Sequence, residues 1–130
     1  MKDTVELGAQ GSAELVVSAY DTAIALRSGD VPVLGTPRLL ALLEEATCEA
    51  LRGALSAHRT SVGVAVDISH RRATPVGARV VAHASVVSTD KDRVVFEVHA
   101  DHETPTGECV EDVARGRITR AIVDRDSFGG

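Results

Sequence analysis

Residues 34–55 read LGTPRLLALLEEATCEALRGAL, and the fold turns on whether they form one helix. Thr36-Pro37 is a helix start signal. Proline's fixed φ suits the first helical position, where its missing N–H leaves no bond unmade. It also drives the preceding residue out of the α region, as a capping residue requires. Thr36 is therefore expected to cap with its hydroxyl, although Leu39 stands where a capping box needs Glu or Gln. Strong helix formers fill the positions that follow, so the sequence predicts a helix over 37–57.

The adjacent acids Glu44 and Glu45 fall on different faces of that helix. Side chains three and four residues apart are neighbours. Glu44 stands with Leu40, Cys48 and Leu51 on an apolar stripe, and Glu45 with Ala41, Glu49 and Arg52 on a polar one. Glu45 reads as a solvated surface acid. Glu44 has two readings. It is an edge residue whose carboxylate reaches water, or an acid among apolar neighbours that must be paired or functional.

Around the helix lie valine-rich runs with the period-two alternation of strands. A first strand is predicted at 13–18, and 21–35 as a loop with one short helical turn, broken by Gly29, Pro32 and Gly35. TSVGVAVDISH (60–70) is the most regular strand, with Val62, Val64, Val66, Ile68 and His70 on one face. Further strands are predicted at 78–88, 93–101 and 109–124. ATPVG (73–77), STDKD (88–92) and ETPTGE (103–108) read as turns, and Gly116 as a bulge. Short turns imply an antiparallel meander, and a long apolar helix beside it implies an α+β layer fold. No repeat or linker divides the 130 residues, so one domain over 1–130 is expected.

Composition narrows the function. A net charge of −5 offers no general attraction for a nucleic-acid backbone. Tyr20, Phe96 and Phe128 are the whole aromatic complement, too few to stack bases. The start MKDTVELGAQ lacks an apolar leader core, and no run approaches membrane-spanning length. Cys48 and Cys109 form no CxxC and read as reduced structural thiols. A cytoplasmic protein without nucleic-acid or membrane partners is expected. His58, His70, His83, His99 and His102 show neither HExxH nor zinc-ligand spacing, so no metal site is expected. GxSxG, GxxxxGK[ST] and GxGxxG are all missing. His70 reads either as a neutral rim residue or as an acid/base group. Arg71, Arg72, Arg79, Arg115, Arg117 and Arg120 are either solubilising charges or contacts for a small phosphorylated ligand.

A meander around one long helix that carries an acid resembles the hotdog fold, an antiparallel sheet wrapped around a central helix. The motifs resemble the fluoroacetyl-CoA thioesterase family. LGTPRLLALLEEA is similar to that family's helix start, where a Thr precedes a Glu by eight residues, here Thr36 and Glu44. SVGVAVDISHRRATPVG is similar to its next strand, where a glycine precedes a histidine by seven residues, here Gly63 and His70. ARGRITRAIVDRDSF resembles its last strand, and the likeness runs over about 35–128.

The resemblance implies hydrolysis of a short acyl-CoA, or a related pantetheine thioester, to free acid and thiol. It implies Thr36, Glu44 and His70 as catalytic residues and Gly63, Arg71, Arg72 and Arg120 as substrate-binding ones. Coenzyme A enters as part of the substrate, with no separate cofactor. Glu44 can attack the thioester directly or act as general base on water, and the sequence leaves both open. His70 can orient the attacking group or protonate the leaving thiolate. Free N–H groups at the helix start can hold the oxyanion.

Eight residues of helix span roughly 12 Å, so Thr36 and Glu44 of one chain are not expected to touch. A homodimer with a shared site follows, with pairing of dimers into tetramers left open. The segment AYDTAIALRSGDVPVLGT (19–36) has Tyr20 as its one aromatic residue, whereas the fluoroacetate-specific enzyme carries a longer, aromatic-rich lid there. A different acyl group and a more open pocket are therefore expected. The alternative is a non-catalytic hotdog module that binds an acyl-CoA or acyl carrier. A hotdog hydratase is disfavoured, because Asp67 and His70 face opposite sides of their strand.

Overall fold

The computed structural model describes residues 3–128. Its elements are β1 (Gln10–Val16), α1 (Ala23–Leu26), α2 (Thr36–Ala50), β2 (Arg59–His70), β3 (Arg79–Asp90), β4 (Arg93–Glu103) and β5 (Cys109–Asp124), with a 3₁₀ turn at Ala19–Asp21. The strands form one antiparallel sheet in the order β1-β3-β4-β5-β2.

That order corrects the simple meander. β3, β4 and β5 are joined as hairpins, but β2 pairs with β5 and not with β3. ATPVG is therefore not a hairpin turn. It lies on the connection that carries the chain from one edge of the sheet to β3 beside β1. This connection is held where Pro75 bridges Val33 and Leu34 N–H donates to Thr74 O at 2.9 Å.

Helix α2 packs against β1, β3 and β4. Leu39, Leu42, Leu43, Ala46, Thr47 and Ala50 form its buried face. They meet Val80, Ala82 and Ala84 of β3 and Val94, Phe96 and Val98 of β4 in one core. Each fully buried leucine contributes about 1.5–3 kcal/mol relative to exposure. The stripe of Leu40, Glu44 and Cys48 is the margin of this face and not its centre: Leu40 and Glu44 are half-buried and Cys48 is exposed. Cys48 and Cys109 are both free and exposed.

Two helix boundaries differ from expectation. Gly35, not Thr36, is the N-cap, and no side chain caps this end. The helix stops at Ala50, well short of 57, because Gly53 turns the chain in the left-handed region that glycine tolerates.

The bulges also fall elsewhere. Gly116 pairs regularly with Ile68, and it is glycine because a side chain there would overlap the β2 backbone at Asp67. The irregularities lie between Gly63 and Ala65 in β2 and between Val86 and Ser88 in β3, with a third where β4 meets β5 between Ala100 and His102. The β2 bulge breaks the uniform alternation. It sets Gly63, opposite Arg120, on the same face as Ile68 and His70, and sends Val62 to the other.

Candidate active site

The candidate catalytic residues divide between two polar clusters that stay apart. The first joins the start of α2 to the end of β2. Thr36 Oγ1 and His70 Nδ1 are 2.7 Å apart in a hydrogen bond that either can donate. The Thr36 hydroxyl thus serves His70, which explains why it does not cap the helix. The backbone fixes both residues. Gly35 N–H donates to Asp21 O at 2.8 Å, and Arg71 N–H donates to Val113 O at 2.7 Å.

His70 Nε2 is buried and has no hydrogen-bond partner among the described residues. Burial holds the imidazole below its usual pKa, and a weaker polar contact with the Arg72 backbone acts the other way. Burial therefore favours the neutral ring, able to accept a proton. Pro37 has no N–H, and the N–H groups of Arg38 and Leu39 both turn to Gly35 O at 3.1 Å. The Thr36 amide is the donor left for an oxyanion at this helix start.

The cluster lines an open cleft of about 310 Å³, with Ala23, Val31, Thr36, His70, Arg71 and Arg72 on its walls. Arg71 pairs with Asp112 at 2.6 Å and stays half-exposed, while Arg72 is exposed at the mouth.

The second cluster surrounds Glu44. Its Oε2 accepts a hydrogen bond from Arg120 Nη1 at 3.2 Å. Arg120 is only 6% exposed, and its Nε and Nη2 donate to Ser61 Oγ and Ser61 O at 2.9 and 3.0 Å. Of the arginines read as solubilising charges or ligand contacts, Arg120 has its guanidinium committed to Glu44 and Ser61. Gly63 passes directly beside Glu44 Oε2, where a Cβ would overlap the oxygen. Glu44 keeps 34% of its side chain exposed, so it is paired on one side and open on the other. Glu45 is exposed. Ser61 gave no signal in the sequence, since a serine in a strand has many ordinary uses.

No hydrogen bond joins Thr36 to Glu44 among the described residues. A second Thr–His pair, Thr74 Oγ1 with His102 Nδ1 at 2.7 Å, is fully buried and ties the β2–β3 connection to β4.

A family model described as fluoroacetyl-CoA-specific thioesterase matches residues 17–126. The chain belongs to this family. The fluoroacetyl-CoA thioesterase of Streptantibioticus cattleyicolor is 27% identical over 98% of this chain and 92% of that protein. A variant of a fluoroacetyl-CoA-specific thioesterase, solved in complex with fluoroacetate and CoA, superposes with a TM-score of 0.82 at 23% identity, covering 95% of this chain and 99% of that one. A hot-dog-like protein from Thermanaerovibrio acidaminovorans superposes with a TM-score of 0.77 at 26% identity, covering 95% and 93% of the two chains. The fold is thus the hotdog fold, an α+β sheet curled about α2, and the chain is an acyl-CoA thioesterase of the fluoroacetyl-CoA-specific family. No helix among the described residues is long and apolar enough to cross a membrane.

Proposed function

We propose that the chain is a single hotdog domain that works as a homodimer and hydrolyses a short acyl-CoA, with Glu44 of one protomer facing Thr36 and His70 of the other. The observation that carries this reading is the split of the catalytic set: Thr36 and His70 are bonded to each other, while Glu44 is held elsewhere by Arg120. A second copy supplies the missing half. Strand β2 is a long sheet edge whose Val64 and Val66 are 45% and 43% exposed, and an uncovered apolar edge is suited to pairing with another strand. Antiparallel pairing reverses direction, so the end carrying His70 runs back along the part of its partner that carries Gly63.

The chemistry follows from the groups. Glu44 either attacks the thioester carbonyl carbon, forming an anhydride that water later opens, or takes a proton from the water that attacks it. Each route passes through an oxyanion, for which the Thr36 amide is a donor. The carbon–sulfur bond then breaks: on the general-base route neutral His70 is placed to relay the proton of the attacking water to the thiolate, and on the anhydride route the thiolate takes its proton from solvent. Arg71 and Arg72, at the mouth of the cleft, suit the phosphates of coenzyme A. The relative solved with fluoroacetate and CoA supports a CoA ester. The open, aromatic-poor wall of Ala23, Val31 and Val33 supports a short acyl group other than fluoroacetyl. Coenzyme A belongs to the substrate, and the proposed compartment is the cytoplasm.

The test is thiol release from a panel of short and medium acyl-CoAs by the wild type, Glu44→Gln and Glu45→Gln. The expected result is turnover of at least one ester, lost by roughly two orders of magnitude or more in Glu44→Gln and kept in Glu45→Gln. Inactivity on every ester despite measurable CoA binding refutes the reading in favour of a binding module.

A further inference from the structure

We propose that His83, His99 and Asp101 form a binding site for a divalent transition ion of the zinc class on the outer face of the sheet. The register creates the site. His83 of β3 stands directly opposite His99 of β4, and Asp101 follows His99 by two residues, on the same face. Cross-strand partners and their diagonal neighbours are within side-chain reach. The two imidazoles stack with centroids 4.8 Å apart and planes inclined by 21°. One candidate ligand atom from each of the three residues lies within 4.8 Å of the others, and all three residues are half-buried.

The distances suit an ion after a small adjustment. Two nitrogens bound tetrahedrally at about 2.1 Å from one zinc ion lie about 3.4 Å apart, so side-chain rotations that move the ligand atoms by about an ångström close the set. The carboxylate is already oriented: Asp101 Oδ1 accepts the Asp112 backbone N–H at 2.8 Å, which leaves its other oxygen for a metal. Two imidazoles and one carboxylate select a zinc-class ion over calcium or magnesium, which favour all-oxygen sets.

The surroundings are compatible with a cation. Arg115 stands opposite His99 on β5, but its guanidinium pairs with Asp112. Glu97, two residues before His99, pairs with Arg117 at 3.3 Å. Ser12 of β1 faces His83 and brings no charge. An open cleft of about 420 Å³, lined by Ser12, His83, Ser85, Glu97 and His99 among others, gives the ion a path from solvent. The outer face is the one opposite α2, so the ion would staple β3 to β4 without entering the thioester site.

The experiment is calorimetric titration of the purified chain with zinc chloride, alongside thermal melts and cobalt(II) absorption. A Cys48→Ser/Cys109→Ser background removes the two exposed thiols as competing ligands. One ion per chain is expected, with an unfolding midpoint raised by about 10 °C at a hundredfold excess over Kd. Cobalt should give ligand-field bands that disappear in His83→Gln/His99→Gln. Circular dichroism checks that this double variant is folded, and single variants should lose at least about tenfold in affinity. No saturable binding, half an ion per chain, or equal affinity in the double variant would overturn the site.

Discussion

Gly63 and Glu44 are in direct contact, with the α-carbon of the glycine set against Oε2 of the carboxylate so closely that a methyl group at position 63 would overlap it. The backbone at Gly63 is not among the positive-φ positions, so glycine is present here for space and not for conformation. Gly63→Ala is expected to push the carboxylate aside. Activity should fall by roughly tenfold or more while stability changes by about 1 kcal/mol at most, since a misplaced catalytic group loses rate well before the fold suffers. Steady-state kinetics beside a thermal melt checks this, and a melt lowered as steeply as the rate would point to packing instead.

The split site makes a complementation prediction. Glu44→Gln and His70→Ala are each expected to be inactive as homodimers. When the two are mixed and allowed to exchange subunits, one of the two sites in a heterodimer regains Glu44 from one protomer and His70 from the other. Recovery of activity on mixing is the expected result. A mixture as inactive as its components would mean that each site is built within one chain.

A charge on the exposed edge of β2 tests the same assembly at a residue with no part in the chemistry. Val66→Lys should give a monomer by sedimentation, with thioesterase activity lost in parallel, because lysine on an edge opposes strand pairing. A dimer that survives the change would place the interface elsewhere.

Arg120 separates positioning from simple charge. Its three nitrogens hold both Glu44 and Ser61, a fork that lysine cannot reproduce. Arg120→Lys should keep a partner charge but lose the geometry, lowering kcat with little change in KM. Arg120→Gln should also destabilise by about 1–3 kcal/mol, the range for an unpaired, partly buried polar group. A rise in KM alone would instead indicate a contact to the substrate.

Acid should weaken the fold. Burial lowers the pKa values of His70, His99 and His102 in the folded state, so the unfolded chain binds more protons as pH falls through about 6.5, the unperturbed histidine value. Stability is therefore retained above that pH and lost progressively below it. Urea midpoints measured from pH 7.5 to 5 should fall, and the acid limb of the activity profile should lie below 6.5 because His70 must be neutral. A midpoint that rises on acidification would contradict the burial argument.

The sequence by itself determined the start of the helix, the strands and which of the two adjacent acids leaves the polar face. Thr36-Pro37 and the run of helix formers placed α2, and the three-and-four spacing separated Glu44 from Glu45, because these are local rules of backbone geometry. Local alternation likewise placed β5 at 109–124, where it is found. Tertiary structure decided what depends on residues distant in the chain. β2 pairs with β5 rather than β3 because the chain crosses the sheet after His70, and a short connection looks the same whether it reverses or crosses. The bulge near Val64 turned Gly63 toward Glu44, an insertion that period-two counting cannot register. Arg120 became Glu44's partner, and His83 came to face His99, only because strands far apart in sequence lie side by side in the sheet.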